Sequence, residues 1–255
     1  MQVSIPAAGS TADARLTWLT EQLATDGSIS IAAAAAALDV SEMTIRRDLV
    51  ELEERGVARR VRGGAKAVGP QTFAQRRDRM ARAKSRVAAK LADLVPATGA
   101  VALDASSTVM RVAAGLAGAR DLVVLTNGPD TFAALQHQAG VTPLLTGGRL
   151  DARTGSLVGP LACRAAQQMT VHRFFASAAA VDPVTGAVEE TLEEAEVKRA
   201  LAAGADEVVL AVDSSKLGSR ALAAGLGWER IDVLVTELDP GDERLAPYRT
   251  LADVR

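Results

Sequence analysis

A single cysteine, Cys163, stands in a chain of 255 residues. It has no partner for an intramolecular disulfide and cannot form a Cys-rich zinc site, so a reducing, cytoplasmic setting is the expectation. Aromatic residues make up only 3% of the chain, and none interleaves the arginines near residue 60. The stacking platforms that hold single-stranded nucleic acid are therefore not foreseen. The two histidines, His137 and His172, lie far apart in sequence, and neither a metal site nor a cofactor is implied. There is no Walker lysine loop, no HExxH and no GxGxxG. No apolar run approaches the ~20 residues of a membrane helix, so no membrane partner is expected. The first ten residues carry no Lys or Arg, unlike the basic start of a secretory leader.

What is present is ample core material, 48% hydrophobic with 24% charged residues. Net charge is −2, which by itself names no partner. Its distribution is uneven. Twelve basic residues fall between Arg55 and Lys90, against one acid, Asp78. Such a block on a near-neutral chain is the electrostatic footprint of polyanion contact, although solvated helix faces also produce charge runs.

Residues 1–12 read as a flexible tail and 13–66 as a compact helical unit. Residues 67–95 read as a linker and a connecting helix, and 96–255 as an α/β domain. In the helical unit Leu16, Leu19 and Leu23 keep a helix period, which Gly27 stops; residues 31–38 form a second short helix. Ser41 is a favourable N-cap for a third helix over 42–55, and Gly56 suits its end. Ile45, Leu49 and Leu52 share one face of that helix. At ~100° per residue Met43 and Arg47 lie opposite, with Thr44 and Arg46 on the flanks. Two helices, a turn and a third helix make a helix-turn-helix. An exposed first turn with Ser41, Thr44, Arg46 and Arg47 suits entry into a DNA major groove. The alternating run from Val57 to Gly64 predicts a hairpin wing carrying Arg59, Arg60 and Arg62. Residues 73–95 are expected to form one amphipathic helix, with Met80, Val87, Leu91 and Leu94 on its apolar face.

The run Thr44-Ile45-Arg46-Arg47-Asp48-Leu49, then Leu52-Glu53-Glu54-Arg55-Gly56, then Arg60-Val61-Arg62-Gly63-Gly64-Ala65, resembles the winged helix-turn-helix of the DeoR family, bacterial regulators of sugar catabolism. Arg62 departs from the family's usual His. The resemblance implies that double-stranded operator DNA is the partner.

From residue 96 onward short β-rich runs alternate with helical patterns, which argues for a mainly parallel sheet covered on both faces. Polar residues collect just after the strands: Asp104, Ser106, Ser107 and Thr108; Thr126 and Asn127; Gly147 and Gly148; Asp213 and Lys216. That edge of an open α/β sheet is where ligands bind, and helix-opening loops offer N–H groups to an anion. Strand-to-helix loops are polar in any case, so only their concentration on one edge points to a site. The ligand indicated is small, polyhydroxylated and anionic.

The DeoR resemblance continues here, through Leu103-Asp104 with Ser107-Thr108, Leu125-Thr126-Asn127, Gly147-Gly148, Leu157-Val158-Gly159-Pro160, Glu193-Glu194-Ala195-Glu196-Val197-Lys198 and Asp213-Ser214-Ser215-Lys216-Leu217-Gly218. It implies an effector domain with the fold of ribose-5-phosphate isomerases and a phosphorylated sugar or related metabolite as effector. It also adds Glu194 and Lys198 to the candidate pocket. Ser106 stands where the family has glycine, and His172 and Ser177 stand where it has Asp and Gly.

A ligand-controlled DNA-binding repressor, acting as a homodimer or homotetramer, is the function expected. The competing reading is an isomerase- or deaminase-like enzyme, with Asp104, Glu189, Glu190 or Asp213 as general base. An RNA-binding protein is disfavoured by the scarcity of aromatics.

Overall fold

The computed structural model describes residues 11–68, 73–116 and 118–255, and the chain divides into two compact units at Arg76/Arg77. Most of the expected tail and part of the expected linker lie outside the described residues. Thr11 and Ala12, assigned to the tail from sequence, instead begin a helix.

In the first unit, α1 (Ala12–Asp26) is capped by the Thr11 hydroxyl and ends at Gly27 with φ +73°. β1 (Ser28–Ser30) leads into α2 (Ile31–Leu38), which the Ser30 hydroxyl caps. α3 (Glu42–Glu54) starts at Ser41, whose hydroxyl accepts from the Thr44 N–H. Leu19, Leu23, Leu38, Ile45, Leu49 and Leu52 are buried together. Each such side chain contributes about 1.5–3 kcal/mol by leaving water. β2 (Ala58–Val61) and β3 (Gly64–Ala67) form the wing hairpin. β1 pairs with β3 as a third strand that sequence reading did not foresee. It explains the double glycine. Gly63 turns the hairpin at φ +82°, and a Cβ on Gly64 would lie 1.9 Å from the Ile29 carbonyl oxygen, where β1 crosses.

The single helix expected over 73–95 is broken. α4 (Phe73–Asp78) stops, Met80 takes a left-handed φ of +55°, and α5 (Ala81–Ala92) begins anew. Met80, expected on the apolar face, is 40% exposed. The apolar face of α5 is Ala83, Val87, Ala88 and Leu91.

The second unit is built on seven parallel strands. They are β4 (Gly99–Leu103), β5 (Leu122–Thr126), β6 (Val141–Leu145), β9 (Val171–Ala176), β12 (Ala205–Ala211), β14 (Val233–Val235) and β15 (Asp253–Val254). Their spatial order is β15-β14-β12-β9-β4-β5-β6. The connecting helices are α6 (Met110–Ala113), α7 (Pro129–Leu135), α8 (Pro160–Gln167) and α9 (Leu192–Ala203). Smaller pieces were missed: the hairpin β7 (Arg149–Asp151) with β8 (Ser156–Val158), and an antiparallel trio of β10 (Ala180–Asp182), β11 (Gly186–Glu189) and β13 (Ala223–Leu226).

Alternation along each strand feeds two cores. Phe174 and Ala102 pack with α8 and α9 residues on one face of the sheet, while Phe175 and Leu103 pack with α5 and α6 residues on the other. The chain winds outward from β4 through β5 and β6, then returns to β9 and winds the other way. The β4/β9 junction is therefore the switch point of the sheet, where diverging loops leave a crevice at the carboxyl ends of the strands.

Candidate functional site

At that crevice Asp104 follows β4 and Ser177 follows β9. Asp104 is buried; its Oδ1 accepts from the Ser106 N–H at 2.9 Å and its Oδ2 from the Ser177 N–H at 2.7 Å. Lys198, projecting from α9, lies with its Nζ 3.3 Å from Asp104 Oδ2 and donates to Glu189 Oε1 at 2.6 Å and to the Ser177 carbonyl. From the opposite face, Lys84 on α5 donates to the Ser107 hydroxyl at 3.0 Å and is likewise buried. Two lysines and several carboxylates thus converge from both layers on one strand junction.

Burial pushes the Glu189 carboxyl up to about 7, against the pull of the Lys198 charge. Burial alone would lower Lys198, but Glu189 and Asp104 raise it and keep it an ammonium. Burial outweighs the ammonium's pull, so Glu189 holds a proton near neutrality.

The other candidates lie along the same sheet edge. The Thr126 hydroxyl accepts from the Gly128 N–H at 3.0 Å. Asn127 is buried, its Nδ2 donating to the Leu157 carbonyl at 3.2 Å while its Oδ1 has no partner among the described residues. Thr108 is buried behind Ser107. Glu194 accepts from Ser156 Oγ at 3.4 Å. Gly147 and Gly148 adopt φ +69° and +115° after β6, and Gly148 lies against Ala162 of α8. Asp213 accepts from the Ser215 N–H at 3.2 Å, and Lys216 lies half-buried in the same loop. With strands ~4.8 Å apart, the ends of β6 and β12 are about 19 Å from each other. The structure accordingly brings Asp104, Ser106, Ser107 and Lys198 together, and sets Gly147, Gly148, Asp213 and Lys216 at the two flanks.

Ser106 and His172, two departures from the family pattern, have local explanations. The Ser106 hydroxyl accepts from the Val109 N–H at 3.0 Å, capping the turn before α6. His172 sits at the start of β9, on the amino edge of the sheet and across it from the crevice, 3.4 Å from Asp206. Ser177, by contrast, is in the crevice. Sequence reading missed Lys84, seen only as part of a charge block, and weighed Glu189 only as a catalytic base. No local pattern marks either, because their neighbours come from distant strands.

In the first unit Met43 is 65% exposed, and Arg46 and Arg47 are both exposed. Arg46 pairs with Glu42 at 3.3 Å across one helical turn. Ser41 and Thr44 share a hydrogen bond of 2.9 Å, so both hydroxyls already serve the cap. Asp48 is turned inward and holds Arg15 of α1 by two bonds, 2.8 and 3.1 Å long. In the wing, Arg60 is tied back to Glu53 at 2.6 Å. Arg59 and Arg62 are exposed and, like Arg47, form no ion pair among the described residues.

Among the described residues no helix is long and apolar enough to cross a membrane, and no cluster of His, Cys, Asp and Glu could hold a metal.

Two family profiles match the chain: the DeoR-like helix-turn-helix domain over residues 15–71 and the DeoR C terminal sensor domain over residues 79–238. The HTH-type transcriptional regulator GolR of Listeria innocua is 33% identical over 204 residues, covering 78% of this chain and 80% of its own. The glycerol-3-phosphate regulon repressor of Escherichia coli is 28% identical over 204 residues, covering 79% and 81%. Among solved structures, ribose 5 phosphate isomerase A of Neisseria gonorrhoeae aligns with a TM-score of 0.37 and 17% identity, over 54% of this chain and 53% of that one. With a sensor-domain profile spanning more than half of its length and a helix-turn-helix profile before it, the chain belongs to the DeoR family of DNA-binding transcriptional regulators.

Proposed function

We propose that the chain is a cytoplasmic repressor of sugar or polyol catabolism genes, released from its operator by a phosphorylated sugar or related metabolite. α3 enters the major groove, with Met43, Arg46 and Arg47 toward the bases. Arg59 and Arg62 of the wing reach the DNA backbone. Two copies, as a homodimer or within a homotetramer, place their recognition helices on half-sites about one helical turn apart or a multiple of it. The effector lies at the β4/β9 crevice. Lys84 attracts its anionic group, Lys198 holds Asp104 in place, and Asp104, Ser106 and Ser107 meet its hydroxyls.

The observation that carries this reading is the convergence of Lys84 and Lys198 on the switch point of the sheet, one from each helical layer. Both are buried with hydrogen-bond partners: Lys84, held by the Ser107 hydroxyl, offers an anionic ligand a fixed cation rather than mobile surface charge, while Lys198, shared by Asp104 and Glu189, fixes the carboxylates and the loop after β9 around it. The relative named as a glycerol-3-phosphate regulon repressor supports a polyol or sugar phosphate as the class. A coupling of about 1–3 kcal/mol between the two sites changes operator affinity 5–150-fold.

The test is a duplex-DNA binding titration repeated with a panel of sugar and polyol phosphates, with thermal melting in parallel. One class should both raise the melting temperature and release the DNA. If none does either, the effector reading fails. Multiple turnovers of any panel member would instead favour the isomerase alternative.

A further inference from the structure

Residues 73–92 hold seven basic residues and one acid, in a chain of net charge −2. The structure divides these charges by use, with Arg76 half-buried over the Phe73 ring. Lys84 is buried against Ser107, Lys90 donates to the Leu238 carbonyl, and Arg77 pairs with Asp78. Arg79, Arg82 and Arg86 are left exposed and, among the described residues, pair with no carboxylate. Arg82 and Arg86 lie one turn apart on the face of α5 opposite Ala83, Val87, Ala88 and Leu91, which are buried. Arg111 of α6 joins the same face. It donates to Ser85 Oγ at 3.3 Å and to the Arg77 carbonyl at 3.0 Å, so its charge is held in place without being neutralised. Its Nε is buried with no partner among the described residues. Like charges one helical turn apart repel and weaken the helix that carries them. The exposed face of α9, by contrast, mixes Glu193 and Glu196 with Arg199. All four arginines belong to the second unit, and none to the winged helix-turn-helix.

The geometry points to a second DNA contact, in which the arginine face of α5 and α6 on the sensor unit grips the phosphate backbone independently of base sequence. Arg82 and Arg86 one helical turn apart, with Arg79 in the turn just before them and no acid between, suit a regular polyanion better than a protein surface of mixed charge. Planar guanidinium groups also match phosphate oxygens in bidentate fashion. This contact rests on the operator-binding reading above and adds affinity to it without adding specificity. It also gives the effector a physical lever. Lys84, bonded to the loop after β4, lies on α5 between Arg82 and Arg86, so a shift of α5 at the crevice moves the phosphate-gripping face with it.

The experiment compares wild type with the triple variant Arg79→Gln, Arg82→Gln, Arg86→Gln, full length in each case. Binding is titrated against a mixed-sequence duplex and against a duplex selected by the wild-type protein from a random library. The titrations are repeated over a series of salt concentrations, and oligomeric state is measured by sedimentation. The slope of log K against log salt should become shallower by about 2.7, or 0.9 for each phosphate that is no longer neutralised. Affinity should fall equally on both duplexes, with the preference for the selected one unchanged. The matching triple Lys variant should restore most of the slope. An unchanged slope overturns the proposal. So does weaker binding accompanied by dissociation of the oligomer, which would assign the face to a second copy of the chain. If the wild type selects no sequence from the library, the operator reading fails instead, and the salt slope on mixed-sequence DNA still decides this one.

Discussion

Lys198 Nζ donates to Glu189 Oε1 at 2.6 Å, and both side chains are buried where β4 meets β9. Asp104 shares the same ammonium, and burial, with smaller help from the neighbouring carboxylates, leaves Glu189 binding a proton near neutrality.

A stability prediction follows from that proton. Glu189 is raised from its ordinary 4.5 to about 7, so between those values the folded chain binds more protons than the unfolded one. Stability should therefore fall as pH rises from about 4.5 to 7. Glu189→Gln keeps an acceptor for Lys198 and removes the titration. Relative to wild type it should gain on the order of 1–3 kcal/mol across that window, in denaturant melts at both ends. Parallel pH profiles for the two proteins would refute the assignment.

Lys84→Met should uncouple the sensor from DNA release. The substitution keeps the length of the side chain but removes the donor to Ser107. Operator affinity without effector should stay within a few-fold of wild type, while release by the active sugar or polyol phosphate weakens at least tenfold, about 1.4 kcal/mol. Normal release by this variant would remove Lys84 from the effector site.

Arg47→Ala should cost about 1–3 kcal/mol of discrimination between operator and random DNA if its contact with guanine is bidentate. A competition titration reads this directly. Arg59→Ala should instead weaken both duplexes alike, because a phosphate contact carries no sequence information. Unchanged discrimination in Arg47→Ala would contradict the major-groove placement of α3.

Asp48→Ala should destabilise the first unit by about 3 kcal/mol, since it removes the carboxylate that holds the Arg15 guanidinium by two bonds at the α1–α3 contact. Differential scanning calorimetry of the full chain should show one transition lowered and the sensor transition unmoved. Asp48→Ala at wild-type stability would mean that water replaces the carboxylate at no cost.

Helix α3, the wing hairpin and the alternating strands were legible because each is written in local spacing: Ile45, Leu49 and Leu52 at helical intervals, Gly63 at the turn, and short apolar runs followed by polar loops. The break at Met80 was not, since the helical pattern of apolar residues runs through it. β1 is three residues long, too short for any periodicity, and exists because β3 is there to pair with it.

The linear order of residues by itself determined the helix-turn-helix, the wing and a parallel sheet with polar loops on one edge, because propensity, capping and hydrophobic period act between near neighbours. Only the tertiary structure decided which polar residues meet. Asp104, Ser177, Glu189 and Lys198 lie far apart along the chain and converge because the strand order reverses at β4 and β9. Lys84 reaches Ser107 because α5 packs on that sheet. Their shared burial, rather than any property of the residues alone, sets the protonation of Glu189 and leaves the arginine face of α5 turned to solvent.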